Sequence, residues 1–244
     1  MSDRYILTID IGTSSTKTAL WTAAGARVAS AACDYALTRS RPAWAEIDAR
    51  EWWRAACRTT RQVLAEAHVP AQQVAGVGVD GLSWTLLPVD AGAEPLAPAL
   101  IWLDRRADEA AALRRGPHTE RLVELSANPL DPAYITPKLL WLKAQRPDIF
   151  EATHAFLTSS GYLTARLTGE LTCDFTQAYG YHFFDMAAAR WDAAALALLG
   201  VPAGKLPRLC PPGEVVGHVT RAAAEASCAP ARRWIRAARP AAWA

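Results

Sequence analysis

The sequence has no long apolar run, little net charge and few cysteines. No apolar run approaches the roughly 18 residues that a membrane-spanning helix needs, which argues against a transmembrane protein. The formal net charge is only +2, so electrostatics give no reason to expect a nucleic acid or a membrane surface as partner. The five cysteines are scattered and never form Cys-x-x-Cys, which argues against a disulfide framework or a structural metal site. These absences favour a cytoplasmic globular protein.

Other absences narrow the choice further. The five histidines include no His-x-x-x-His pair, so nothing indicates a metal hydrolase. The first residues lead directly into an apolar segment and are expected to leave no room for a signal peptide. With 244 residues, of which 51% are apolar and 20% charged, the chain suits one large globular domain or two small ones.

The opening stretch predicts a β-hairpin with a polar turn. An apolar run from Tyr5 to Ile9 ends at Asp10, and a second strand-like run extends from Lys17 to Trp21. The residues between the runs are glycine and hydroxyl side chains, which turns favour in any case. The hairpin is therefore either a buried structural element with a polar turn or a loop that holds an anion.

Three features of this turn suit a phosphate and its metal ion. Gly12 lets an anion approach the main chain closely, and Thr13 and Ser14 supply hydroxyl and N–H donors. Asp10 stands at the end of the strand, where its carboxylate suits Mg²⁺, because Mg²⁺ prefers one or two carboxylates together with waters and phosphate oxygens. The turn therefore predicts a phosphate-binding loop with Asp10 as the metal ligand.

The rest of the chain predicts a mixed α/β order. A third strand over Val28–Leu37 is followed by a helix that begins at the capping box Asp48–Glu51 and ends near Ala67. A Val- and Gly-rich strand, Val74–Val79, comes next, and its mouth lies at residues 80–84. The middle of the chain is predicted to be helical. This order is that of a ribonuclease-H-like α/β fold, with a mixed five-stranded sheet, flanking helices and a helical insertion.

Short sequence blocks give a resemblance to a known family. Asp-x-Gly-Thr-Ser after an N-terminal strand resembles the first phosphate loop of the actin/hexokinase/Hsp70 superfamily. Within that superfamily, five blocks in order resemble the FGGY carbohydrate kinases, and among these the xylulokinase-like pentulose kinases. The blocks are Ile9–Ser14, Trp44–Asp48 with Glu51–Trp53, Ile101–Arg106, Pro137–Trp141, and Leu167–Glu170 with Asp174. Together they cover roughly residues 5–225.

The resemblance implies ATP-dependent phosphorylation of a small sugar bound in a cleft between two domains, with Mg²⁺ stabilising the moving phosphoryl group. The residues that it assigns to ATP and Mg²⁺ are Asp10, Gly12, Thr13, Ser14 and Lys17, with Asp10 as the metal ligand. Those that it assigns to the sugar are Ser83, Trp84, Asp104 and Arg106, of which Arg106 supports the Asp104 loop.

Some of these positions also have a plainer interpretation. Asp104 stands where a helix N-cap belongs, and both roles are compatible. Arg105 and Arg106 are typical of a solvated helix face. Trp102 and Trp141 are expected in the core rather than as platforms for a sugar.

The sequence departs from the family pattern in two places. Xylulose-specific members have a Met-His pair where this chain has Ser83 and Trp84. Because an indole only donates a hydrogen bond whereas an imidazole can also accept one, xylulose becomes doubtful and another pentulose or a polyol stays open. The proton-abstracting Asp of the family lies in a Gly-Gly-x-x-Asp segment that this chain lacks, so no catalytic residue is assigned.

These departures shape the expected domain organisation. Residues 1–226 are expected to be the N-terminal domain of such a kinase, without the C-terminal domain. Residues 227–244 are rich in Ala, Arg, Pro and Trp and are expected to be an aberrant or disordered tail. The chain is then a truncated and inactive half of a kinase, a non-catalytic sugar-binding or regulatory module, or the product of a frameshifted gene. A small sugar is the expected partner, and a homodimer stays open.

Overall fold

The computed structural model describes residues 4–227, 229 and 234–237. Over these residues the strands are β1 (Tyr5–Ile11), β2 (Ser15–Thr22), β3 (Arg27–Asp34), β4 (Glu46–Ile47), β5 (Val74–Gly81), β6 (Leu87–Val89), β7 (Ala99–Leu100), β8 (Ala155–Leu157), β9 (Thr172–Asp174), β10 (Phe184–Asp185), β11 (Arg190–Trp191), β12 (Arg208–Cys210), β13 (Val215–His218) and β14 (Trp234–Ala237).

The helices of the same residues are α1 (Ala49–Glu66), α2 (Glu109–Arg115), α3 (Thr119–Ser126), α4 (Ile135–Gln145), α5 (Pro147–Ala152), α6 (Ser159–Thr168), α7 (Phe175–Ala178), α8 (Ala193–Leu199) and α9 (Arg221–Ser227). Short 3₁₀ turns occur at Ala71–Gln73 and Ala203–Lys205. Among these described helices, none combines the length and the apolar character needed to cross a membrane.

One mixed sheet of six strands organises the described chain, in the order β13-β14-β5-β1-β2-β3. The first three strands form an antiparallel meander, and β5 and β14 extend it in parallel. β13 closes the far edge antiparallel to β14. The predicted α/β fold with three antiparallel strands in a mixed sheet is therefore confirmed, although the sheet has six strands where five were expected.

The additional strand comes from the tail of the chain. Trp234–Ala237 pairs with β5 over residues 76–79, whereas this stretch was expected to have no fold. Backbone hydrogen bonding along the edge of β5 overrides the weak strand signal of an Ala- and Arg-rich sequence, because strand formation depends strongly on context. The other tail residues, 228, 230–233 and 238–244, lie outside the described residues.

The two faces of the sheet have different surroundings. Side chains alternate along a strand, and Leu7, Ile9 and Ile11 of β1 are all buried on the face that α1 and α6 cover. Asp10 lies on the opposite face together with Ile6, which is 40% exposed. The ionisable end of β1 therefore points away from the main core.

Helix α1 is capped at its N-terminus by Asp48, but the predicted capping box does not form, and the Glu51 N–H donates to the Asp48 main-chain carbonyl at 2.9 Å. The Asp48 side chain accepts a hydrogen bond from the Arg50 N–H at 3.0 Å, as a cap requires. Glu51 does not complete the box; its carboxylate pairs with Arg54 at 2.7 Å. The attraction of a basic residue one turn further along explains the difference.

The middle of the chain builds a second hydrophobic cluster beside the first. The first cluster lies between the sheet, α1 and α6. In the second, Leu139 of α4, Phe156 of β8 and Tyr181 are buried. Trp191 meets Tyr181 edge-on, with 5.1 Å between ring centroids. This second cluster is the predicted helical insertion.

Candidate functional site

Hydrogen bonds hold the loop between β1 and β2 in one shape. The Gly12 N–H donates to the Ser15 carbonyl at 2.9 Å, and the Tyr35 N–H donates to the Ser14 carbonyl at 3.0 Å. The Tyr35 hydroxyl donates to the Gly12 carbonyl. A side chain at Gly12 would place its Cβ only 2.9 Å from the Ser15 carbonyl oxygen, so this turn requires glycine.

These bonds leave the loop with hydrogen-bond donors to offer. The carbonyl oxygens of Gly12, Ser14 and Ser15 accept from protein groups, whereas the N–H groups of Thr13 and Ser14 find no acceptor among the described residues. Successive N–H groups of this kind form an anion-binding concavity. Burial raises the pKa of the Tyr35 hydroxyl to about 12, so this residue stays a donor at neutral pH. The geometry therefore suits a phosphate.

Asp10 lies beside a second carboxylate and a lysine. Strand pairing places Asp10 opposite Lys17 of β2 and opposite Asp80 of β5. Partial burial, and then the negative charge of Asp80, raise the pKa of Asp10, while Lys17 counteracts them. A bound cation would relieve this repulsion.

The donor set at Asp10 is compatible with Mg²⁺. The described residues contain no group of three or more His, Cys, Asp and Glu side chains that could hold a metal ion. Asp10 and Asp80 are therefore the carboxylates that the protein offers here. Mg²⁺ accepts one or two carboxylates when waters and phosphate oxygens complete its shell.

A cavity of about 540 Å³ adjoins this loop. Its walls are aromatic: Trp84 stacks on Tyr134 with 4.4 Å between ring centroids, and Trp102 forms another wall while remaining 40% exposed. Apolar walls with a few convergent polar groups are typical of small-molecule sites. The Trp102 Nε1–H donates to Oγ1 of Thr13 at 3.1 Å, so the cavity and the hairpin loop share a boundary.

The polar groups of the cavity are charged. Arg105 and Asp131 form an ion pair at 2.7 Å, and Arg114 also lines the cavity. Burial alone pushes the pKa of Asp131 upward, but hydrogen bonds from the Ala133 N–H and from Arg105 outweigh it and bring the pKa below its ordinary value. Asp131 is therefore ionised at neutral pH and accepts hydrogen bonds, which suits the hydroxyl groups of a ligand.

Of the four predicted sugar contacts, Trp84 lines the cavity. Its backbone has a φ of 55°, a left-handed conformation that is costly for a bulky side chain and that occurs often at functional sites. Ser83 precedes it in the same partly buried loop but is not among the residues that line the cavity.

Asp104 and Arg106 lie elsewhere. Asp104 is fully buried, and its Oδ2 accepts from the Arg106 guanidinium at 2.6 Å and from the Ala45 N–H at 2.7 Å. Arg106 also pairs with Glu46 at 2.9 Å, and its guanidinium lies 3.5 Å from the centre of the Trp44 ring. The structure thus gives Asp104 internal partners and does not place it among the residues that line the cavity, so its sugar contact stays a prediction. Asp104 is not a helix cap, since α2 begins several residues later.

Sequence reasoning missed several residues of this site. Trp102 was expected in the core but is a wall of the cavity. Arg105 is exposed as expected, yet it pairs with Asp131. Tyr134, in an irregular segment before α4, and Tyr35, just after β3, carried no local signal. Opposite charges and aromatic residues in loops far apart in sequence meet only through tertiary packing, which no local pattern reports.

Comparison with known proteins identifies the family. The model of the N-terminal domain of the FGGY family of carbohydrate kinases matches residues 5–232. The chain therefore belongs to the FGGY family of carbohydrate kinases, as the resemblance indicated, and the part that matches is the N-terminal domain of that family.

Individual relatives include two kinds of kinase. The chain is 31% identical over 219 residues to the xylulose kinase of Escherichia coli K12, in an alignment that covers 89% of this chain and 44% of the relative. It is 28% identical over 223 residues to the glycerol kinase of Thermococcus onnurineus, covering 90% and 45%. The crystal structure of xylulose kinase from Rhodospirillum rubrum matches with a TM-score of 0.92 and 28% identity, over 97% of this chain and 49% of that chain. The chain spans about half the length of the curated relatives it matches.

Proposed function

We propose that this chain provides the sugar pocket and the first phosphate loop for ATP-dependent phosphorylation of a small sugar. The proposed acceptor is a pentulose such as xylulose, or a polyol, since the relatives of this chain include a xylulose kinase and a glycerol kinase. The observation that carries the proposal is the 3.1 Å hydrogen bond from Trp102 to Thr13. Because it joins the cavity to the hairpin loop, a sugar hydroxyl in one and a phosphate in the other would be neighbours.

At the phosphate end, the role of the loop is to bind the phosphate groups and orient them. The N–H groups of Thr13 and Ser14 would hold phosphate oxygens, and such positioning lowers the entropic part of the barrier. Lys17 adds a positive charge beside Asp10. Asp10, with Asp80 next to it, would hold Mg²⁺, which neutralises phosphate charge when bound.

At the sugar end, the role of the cavity is to bind the sugar and orient it. Trp84, Trp102 and Tyr134 offer flat apolar faces to the C–H groups of a sugar. The Arg105–Asp131 ion pair offers donors and acceptors to its hydroxyls. Since its lowered pKa makes Asp131 a weak base, we assign it to hydroxyl binding and not to proton abstraction.

Titration calorimetry with xylulose, ribulose and glycerol tests the sugar site. We expect at least one of them to bind at about millimolar strength or better. Trp102→Phe should weaken binding about 3- to 10-fold, because it breaks one hydrogen bond and keeps an aromatic wall. Trp21→Phe is the matched control, since the Trp21 indole also donates to a threonine hydroxyl, that of Thr8 at 2.9 Å, away from the cavity. A folded protein that binds none of these sugars would falsify the proposal.

A second function, sugar binding without phosphoryl transfer, has one observation in its favour. Among the described residues that line the cavity, the carboxylate is that of Asp131, and it is already ion-paired. A coupled assay for ADP, with ATP, Mg²⁺ and a sugar that binds, separates the two functions. ADP release that depends on the sugar supports the kinase, and binding without ADP release supports the second function.

A further inference from the structure

Lys138 is a buried lysine in a helix made largely of apolar residues. It lies in the first half of α4 and is fully buried. Its Nζ donates to the carbonyl of Trp84 at 2.8 Å and to the carbonyl of Ile101 at 2.6 Å. Because an ammonium group is costly to remove from water, a lysine here needs a reason beyond the filling of space.

The two carbonyls that Lys138 bonds belong to the walls of the cavity. Trp84 is itself a wall, and the second carbonyl belongs to the residue immediately before the Trp102 wall. The same two segments are joined by reciprocal backbone bonds between Leu86 and Leu100, each 3.0 Å long. Lys138 therefore lies behind the cavity and binds the backbone of both aromatic sides at once.

The Trp84 backbone needs such support. A φ of 55° persists at a bulky residue only where the surrounding contacts over-determine it. The stack on Tyr134 holds the Trp84 ring, and the bond from Lys138 holds the Trp84 carbonyl. Without the second contact, the peptide is free to relax toward a common conformation.

We infer that Lys138 is a positioning residue that fixes the separation of the Trp84 and Trp102 walls and thereby the affinity of the cavity for its sugar. The inference rests on the proposed function, because it concerns what sets the shape of that same cavity. It does not place Lys138 in contact with the ligand.

The charge of Lys138 provides a distinctive signature. The charges of four side chains influence its pKa: Asp104, Arg106, Arg105 and Asp131. Burial is the largest influence and lowers the pKa of Lys138 to about 7, while Asp104 counteracts it. Because hydrogen bonds from an ammonium are stronger than those from a neutral amine, the hold on the walls should weaken as the pH rises through about 7.

Two variants on one helix make the test specific. Lys138→Met keeps a long apolar side chain and removes the donors. Lys143→Met is the matched control, since Lys143 also lies on α4 and also donates to two carbonyls, those of Leu199 and Gly200, away from the cavity.

Hydrogen–deuterium exchange of the free protein gives the first readout. We expect Lys138→Met to speed exchange about tenfold in residues 82–86 and 99–103, with the hairpin at 5–22 unchanged. The control Lys143→Met should leave both wall segments unchanged. In calorimetry, sugar binding should weaken about 5- to 10-fold in Lys138→Met. Wild-type affinity should fall between about pH 6 and pH 8.5, whereas the affinity of Lys138→Met stays constant.

Two results overturn the inference: unchanged exchange in both wall segments of a folded Lys138→Met protein, or equal loosening of those segments by Lys143→Met. If Lys138→Met fails to fold, the same measurements are made on Lys138→Gln, which keeps a donor group. If no sugar binds to the wild type, the proposed function fails, but the exchange experiment still decides whether Lys138 positions the walls.

Discussion

Asp10 carries its charge at a place where the free protein disfavours it. Burial and Asp80 raise the pKa of Asp10 in the folded protein above the value of 3.8 in the unfolded chain. The free energy of unfolding therefore falls as the pH rises from the unfolded pKa through the folded pKa and Asp10 ionises. We expect Asp10→Asn to melt at the same temperature as the wild type or slightly higher. It should bind Mg²⁺–ADP at least about tenfold more weakly, a usual loss when a group at a metal site is removed. Thermal melts and calorimetric titration measure the two effects.

Asp148→Asn is the control for Asp10→Asn. Asp148 is an exposed carboxylate on α5 that pairs with Arg146, so its loss should leave nucleotide binding unchanged. If Asp10→Asn binds Mg²⁺–ADP as the wild type does, Asp10 has no part in the proposed phosphate site.

His182 makes the fold sensitive to acid. It is fully buried, its Nε2 lies 3.1 Å from the Pro129 carbonyl oxygen, and burial lowers its pKa to about 4. In the unfolded chain a histidine takes up its proton near pH 6.5, so stability is lost as the pH falls from about 6.5 to about 4, by about 3 kcal/mol. His182→Gln keeps a donor for Pro129 and should lose this part of the acid sensitivity. Urea denaturation at about pH 7 and about pH 4.5 measures it, and equal acid sensitivity in both proteins would contradict the assignment.

The sequence predicted in which strand or loop a single residue lies better than it predicted which other residues that residue contacts. Asp10 and Thr13 lie at the strand end and in the loop, as predicted, because a hairpin is a local pattern. Asp104 and Arg106 were chosen from a charged block, but tertiary packing buries both in one ion pair at 2.6 Å. Which charge of a block faces a ligand depends on neighbours that the local sequence does not specify.

Helix α1 offers a direct test of its cap. Asp48→Ala removes the acceptor for the Arg50 N–H and should lower the free energy of unfolding by about 1 kcal/mol. Glu51→Ala removes only a surface ion pair with Arg54 and should cost less than half as much. Urea denaturation of both variants gives the comparison, and equal losses would mean that Asp48 is not the effective cap.

Element boundaries show why local signals are incomplete. Thr136 followed by Pro137 is typical of an N-cap and a first-turn proline, but α4 begins at Ile135, and the Thr136 hydroxyl accepts from the His182 N–H at 2.8 Å. Similarly, α2 was expected near Asp104 and begins at Glu109. In both cases a tertiary partner engages the side chain that would otherwise have capped the helix.

The cavity lies where the two hydrophobic clusters of the molecule meet. Leu103 packs on the first cluster and Trp84 on the second, and both line the cavity. A ligand bound there contacts residues attached to each cluster. Ligand binding therefore stabilises the packing of the two clusters against each other rather than either cluster alone.

The order of strands and helices was sufficient to predict the fold class, since that order follows from periodicity and turns along the chain. The cavity could not be predicted in the same way. It is assembled from residues 84, 102, 103, 105, 114, 129–131, 133 and 134, and their meeting depends on how the second cluster packs against the sheet.

Strand β14 lies between β5 and β13, although it is the last strand of the described chain. During translation, one edge of β5 therefore stays unpaired until most of the polypeptide has left the ribosome. Pairing between strands that are so far apart in sequence is slow. A nascent or proteolysed chain that ends before Trp234 would keep that edge available to other molecules, which makes incomplete synthesis an aggregation hazard for this protein.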